Sequence, residues 1–147
     1  MLTFTHILRA GVIVGTVAFA GCGMMPMGSN TTSFGATLSG AAEVPANSSA
    51  ASGSLTATLD KGTNVLRWKL TYSGLTGPAS AGHFHGPAMA GANAGVVVPF
   101  ASAASPIEGQ ATLTPAQISD LVAGKWYANI HTAANPGGEI RGQVMAK

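Results

Sequence analysis

Cysteine occurs once in 147 residues, so no disulfide can close within the chain and thiol chemistry rests on Cys22 alone. Charge is scarce as well: Asp, Glu, Lys and Arg make up 8% of residues, with seven basic against five acidic. That surplus is too small and too spread for a nucleic-acid stripe. Low charge beside 46% hydrophobic content also excludes a disordered charged tail. No apolar run reaches the roughly 20 residues that a membrane-spanning helix needs. There is no Ser-His-Asp order, no phosphate-cradling Gly-rich loop and no clustered pair of carboxylates, so hydrolase and nucleotide chemistry lack support. Aromatics stand at only 6%. What remains is Gly (20 residues), Ala, Ser, Thr and Val, the composition of an exported all-β domain.

The N-terminus has the order of a processing signal. Arg9 closes a short basic region, and residues 10–20 form an apolar core of signal-peptide length. Phe19-Ala20-Gly21-Cys22 then resembles a bacterial lipobox, with Phe where Leu is usual. The reading is a lipoprotein signal peptide over 1–21, cleaved so that Cys22 carries lipid; a plain secretory signal with a free thiol is the alternative. Gly23, in place of Asp, points to the outer membrane, facing the periplasm or the cell surface. Residues 22–32 read as a flexible tether, rich in Gly, Ser, Thr and Asn. Once the leader is removed, His83, His85 and His131 are the histidines left.

From Ser33 onward short Thr/Val/Leu runs alternate with turn signals, the pattern of a sandwich or barrel. Strands are expected at 34–39, 53–59, 65–72, 81–85, 95–100, 107–113, 126–131 and 139–144. Leu55, Ala57 and Leu59 share one face, as do Leu66, Trp68 and Leu70. Residues 61–64 read as a compact hairpin connection. One helix interrupts the strands: Thr114 is an N-cap, Pro115 a first helical residue and Gln117 the partner of a capping box. Ile118, Leu121 and Val122 give it an apolar stripe, and Gly124 ends it.

Asn135-Pro136-Gly137-Gly138 is a turn between two runs that pair in one register. Ile130 opposite Ile140, Ala128 opposite Gly142 and Trp126 opposite Val144 make an apolar face. The same register puts His131 opposite Glu139, Asn129 opposite Arg141 and Tyr127 opposite Gln143. That second face is either a solvated exterior or part of a site. Glu139 is placed to accept the second ring proton of His131, the outer-shell device that orients a metal ligand. Arg141 next to an ion would raise its potential and attract small anions, whereas a Glu43–Arg141 pair would tie strands together.

His83-Phe84-His85 sends two imidazoles to one face of a strand and Phe84 to the core. Two nitrogens held so close chelate a divalent ion, and the flanking Gly82 and Gly86 are expected to leave room for it. A third histidine on another strand's polar face strengthens the signal. Three hydrogen-bonded structural histidines are the alternative.

Leu38-Ser39-Gly40-Ala41-Ala42-Glu43-Val44-Pro45, Ala81-Gly82-His83-Phe84-His85-Gly86-Pro87, Asn129-Ile130-His131-Thr132 and Asn135-Pro136-Gly137-Gly138-Glu139-Ile140-Arg141-Gly142-Gln143 together resemble the CHRD (chordin) domain, from about Ser33 to Val144. Phe84 replaces the commoner Ile, and Ala46 stands where a second Pro is usual. The resemblance implies a secreted or surface all-β domain, with 33–147 as the CHRD unit. A more distant likeness, to copper-zinc superoxide dismutases, implies a Greek-key sandwich or barrel with copper on its outside. His83, His85 and His131 match those copper ligands, but the zinc loop and the disulfide have no counterpart.

Copper is accordingly the leading ligand, with zinc the second. Met24, Met25 and Met27 place three soft thioethers in the tether, where no core needs filling, and suit Cu(I). Met89, four residues beyond His85, is a candidate axial ligand or a loop side chain covering apolar surface. The leading expectation is a membrane-tethered copper-binding protein for sequestration, delivery or tolerance, without turnover. A protein-binding or matrix module with structural histidines, or a mononuclear copper redox enzyme, are the rivals.

Overall fold

A computed structural model describes residues 30–147. The expected signal peptide, the Cys22 lipidation site and the Met24, Met25 and Met27 thioethers lie outside the described residues. Eight antiparallel strands form one sheet: β1 Thr31–Ser39, β2 Ser52–Asp60, β3 Val65–Ser73, β4 Ala79–His85, β5 Val96–Pro99, β6 Ile107–Thr112, β7 Trp126–Thr132 and β8 Ile140–Ala146. The order across the sheet is β5-β4-β7-β8-β1-β2-β3-β6. The chain therefore crosses from one end of the sheet to the other three times, after β3, after β5 and after β6.

Period-two patterning explains the long meander. Leu55, Ala57 and Leu59 of β2 stand directly opposite Leu70, Trp68 and Leu66 of β3. All six are buried, while the alternate Thr56, Thr58, Arg67 and Lys69 are exposed. Residues 61–64 close this hairpin, with Asn64 at φ 58°, a left-handed turn conformation that Asn tolerates. The sheet curls until its two ends meet. Trp68 of β3 packs edge-on against Phe84 of β4 at 5.2 Å, although four strands separate them in the sheet. Phe84 also meets Phe100 at 5.0 Å and Trp126 at 5.8 Å. The core-facing role expected of Phe84 holds.

The helix α1 is Pro115–Val122, with the predicted capping box: Thr114 accepts from the Gln117 N–H and Gln117 accepts from the Thr114 N–H. Gly124 follows at φ 69°. The apolar stripe is narrower than expected. Leu121 is buried and Ile118 packs on the core, but Val122 is 53% exposed, since an eight-residue helix can turn only one side to the sheet. The tether is also shorter than its composition suggests. Thr31 and Thr32, both β-branched, extend β1 by pairing with Asp60 and Leu59. Other strand ends move by one or two residues, as at β4, which begins at Ala79, and β8, which ends at Ala146.

Candidate metal centre

The β7–β8 hairpin adopts the expected register, with Ile130 opposite Ile140, Ala128 opposite Gly142 and Trp126 opposite Val144. Its apolar side joins the core. The polar side is not a solvated exterior. Asn129 and Arg141 are buried, and Glu139 has no exposed surface. Two long loops close over it. Residues 86–95, between β4 and β5, receive Arg141, which donates to the Ala92 carbonyl at 2.7 Å and to Asn93 Oδ1 at 2.9 Å. Gln143 donates to the Ala88 carbonyl at 2.8 Å. The loop after β1 is tied down by Asn47, whose amide donates to the carbonyls of Gly138 and Glu139.

Glu139 anchors Ser49 of the loop after β1 and Thr76 of the loop after β3, and is not a partner of His131. Its oxygens accept from Thr132 Oγ1 (2.6 Å), Thr76 Oγ1 (2.7 Å), the Thr76 N–H (2.8 Å) and Ser49 Oγ (2.8 Å). Burial opposes its ionisation, but the donors from Thr132, Thr76 and Ser49 outweigh it and hold the carboxyl near pKa about 2. Hairpin pairing put Glu139 beside His131; the nearby hydroxyls claim it instead. Glu43 and Arg141 are likewise not among the ion pairs. The Glu43 carboxyl is buried and its Oε1 has no hydrogen-bond partner. Desolvation pushes it up to about 7, against the pull of Arg141, the Val44 backbone and the Asn129 amide. Arg141 lies instead over the Tyr127 ring, 3.4 Å from guanidinium carbon to ring centroid.

The three predicted histidines do come together. His83 and His85 project from β4 to the same side, and His131 reaches them from the neighbouring β7. One nitrogen from each lies within 4.8 Å of the others. Backbone carbonyls decide two of the tautomers. His131 Nδ1 lies 2.9 Å from the Pro136 carbonyl, and His85 Nδ1 lies 3.0 Å from the Ala94 carbonyl. A carbonyl only accepts, so each Nδ1 carries a proton, and in the neutral ring each Nε2 keeps a lone pair. The Nε2 of His131 faces His83 Nδ1 at 3.2 Å and Asn129 Oδ1 at 3.0 Å. The Nε2 of His85 is buried and makes no hydrogen bond of ordinary geometry. His85 stacks flat on Tyr127, with ring centroids 4.8 Å apart.

Burial lowers the pKa of His83, and the other two imidazoles lower it further. Burial also lowers that of His85, although the Ala94 carbonyl and the nearby Asn129 side chain draw it partway back. Both are therefore biased toward the neutral, ligating form. Pro136 and Ala94 orient these rings in the way carbonyls orient metal-bound histidines, the task that sequence pairing gave to Glu139.

The flanking glycines have a different purpose from the one expected. A Cβ at Gly82 would fall 2.7 Å from Phe100 and 2.8 Å from Ile130, and one at Gly86 would fall 2.6 Å from Trp126. Alternation places both on the core side, so they admit aromatic packing and not an ion. Met89, the candidate axial ligand, is 60% exposed. Asn129, Tyr127, Ala94 and Pro136 are the site residues that sequence reasoning missed or left as neutral hydrogen-bonders. Only the position of Asn129, between His83 and Arg141 on the polar face, signalled its part.

No curated protein and no solved structure matches the chain at a significant level, so the likeness to superoxide dismutases gains no support. A family model does match, and it covers nearly all of the strand framework that carries the histidines. Described as the CHRD domain, it spans residues 34–144, from β1 to β8, and the chain belongs to that family.

Proposed function

We propose that this protein binds one transition-metal ion, copper first and zinc second, through His83, His85 and His131, and that it holds or delivers the ion without turnover. The observation that carries this reading is the pair of carbonyl-fixed tautomers. Pro136 and Ala94 take the Nδ1 protons of His131 and His85, which leaves the Nε2 of each neutral ring as the atom that can ligate, in a group whose three nitrogens lie within 4.8 Å of one another. Histidine nitrogen suits both Cu(II) and Zn(II), and thioethers in the tether would add affinity for Cu(I). The Arg9, apolar-run and Cys22 order supports an exported, lipid-anchored protein at the outer membrane. A protein partner would then receive or supply the ion.

Metal titration with the whole protein in detergent tests the site. One equivalent of Cu(II) should bind, and changing His83 and His85 together to Ala should abolish it while circular dichroism stays unchanged. A double variant that binds copper as tightly as the parent puts the site elsewhere. The same carbonyl contacts also favour a second reading, since they hold loop 86–95 and the β7–β8 turn in place without an ion. A double variant that fails to fold in metal-free buffer would make the histidines structural and the domain a protein-binding module. For the anchor, Cys22→Ser should release the protein from the membrane fraction or leave its precursor uncleaved. Normal maturation and fractionation of that variant would rule the lipid out.

A further inference from the structure

We infer that Asn129 supplies a fourth donor, its side-chain oxygen, and so closes the coordination sphere of the ion held by the three histidines. The inference rests on the histidine reading above and adds to it the completeness of the site and its lack of an open position.

Geometry comes first. Asn129 stands on β7 directly across from His83 on β4 and two residues from His131 on its own strand, so three of the four donors sit at adjacent positions on one face. Its Oδ1 is 3.0 Å from His131 Nε2, and that nitrogen is 3.2 Å from His83 Nδ1. Four donors about 2.0 Å from a tetrahedral ion stand roughly 3.3 Å from one another. Two edges of such a tetrahedron are thus nearly formed. His85 needs only a small inward turn from the 4.8 Å limit of the group.

The polarity is as telling as the distance. His131 has a proton on Nδ1, so in the neutral ring its Nε2 offers a lone pair to an amide oxygen that also offers lone pairs, a conflict that a cation between them removes. Turning the amide over would mend this but would set its oxygen beside the Glu43 carboxyl, which lies on the Nδ2 side. A Cβ at Gly138 would fall 2.8 Å from that Nδ2 and would also collide with Glu43 Oε1, so glycine at this turn lets the carboxyl and the amide meet. Glu43 is therefore a positioning residue: its carboxyl favours the Nδ2 on its own side and thereby leaves Oδ1 toward the imidazoles. Asn129 is also 3% exposed, which leaves water little access to its oxygen. Three nitrogens and one neutral oxygen suit Cu(II) and Zn(II) better than Cu(I). With the fourth position filled by the protein, no substrate can enter it.

Bound water decides the matter. With the whole protein loaded with Cu(II) in deuterated buffer, pulsed EPR should show no exchangeable water bound to the copper of the wild type. Asn129→Ala should gain one such water and lose about 10–100-fold or more in Cu(II) affinity, at least the loss typical of removing a group behind a ligand. An exchangeable water bound to copper in the wild type overturns the inference, as does an Asn129→Ala site that gains none. If the Ala variant does not fold, Asn129→Asp keeps an oxygen at similar reach; it should stay free of bound water and show a lower g∥ from its anionic donor, and an unchanged g∥ counts against ligation. Failure of the histidine reading looks different, because the His83→Ala/His85→Ala protein would then keep its copper. A wild type that takes up no copper overturns both.

Discussion

Glu139 concentrates more structure than any other single side chain here. Its two oxygens join Ser49 and Thr76, from loops far apart in sequence, to Thr132 at the end of β7. Glu139→Ala would leave those hydroxyls and the Thr76 N–H without their acceptor in a buried place, at a cost of about 3 kcal/mol. Chemical denaturation should show that loss, and a change within about 0.5 kcal/mol would contradict it. Its titration has a definite sign. The folded pKa lies near about 2, below the ordinary 4.5, so the native state binds the proton less readily than the unfolded chain. The stabilisation is complete above pH 4.5 and is lost as pH falls from there toward 2. Thermal melts across that window should decline in the wild type and flatten in Glu139→Gln. Sequence alone placed Glu139 correctly in register and wrongly in partnership, because cross-strand pairing is local while Ser49 and Thr76 arrive through the fold.

At the scale of elements, each strand and the helix formed for reasons visible in short windows. Alternation set the buried faces of β2 and β3, and the Thr114–Gln117 box set the start of α1. Thr114→Ala should accordingly cost about 1 kcal/mol, as loss of an N-cap does. A shift of the denaturation midpoint corresponding to less than a few tenths of a kcal/mol would mean that packing alone holds the helix start. Between β8 and β1 the constraint is steric. A Cβ on Gly142 would intrude on the Thr37 carbonyl of the adjoining strand, and backbone cannot swing aside as a side chain can. Gly142→Ala should destabilise by about 2 kcal/mol or more. An unaltered melting temperature would show that the β1–β8 pairing has slack. The strand ends and the extra pairing of Thr31 and Thr32 were harder to read, since a polar β-branched segment looks like a linker until a partner strand lies beside it.

For the whole molecule, metal binding should appear as stability. An ion that binds only the folded state adds about 2.7 kcal/mol at a free concentration one hundred times Kd. For a domain of this size that is roughly a 10 °C rise in melting temperature. Cu(II) or Zn(II) should raise the wild-type midpoint by that order and leave the His83→Ala/His85→Ala midpoint unmoved. An equal rise in both would assign the effect to surface binding. The all-β class, the pairing register of the last hairpin, the capped helix and the three histidines on polar faces were all determined by the sequence by itself. These follow from patterns with a period of two, from cap and turn residues, and from neighbours a few positions apart. What only the tertiary structure decided is that the polar face of β7 and β8 lies inside the protein. Loops 43–51 and 86–95 fold over it; the second hands carbonyls from Ala92, Ala94 and Ala88 to Arg141, His85 and Gln143, while Ser49 of the first and Thr76 bring hydroxyls to Glu139. Apart from His85 and Ala94, nine positions apart, these contacts join residues such as Arg141 and Asn93, 48 apart, or Ser49 and Glu139, 90 apart, and no local period encodes them.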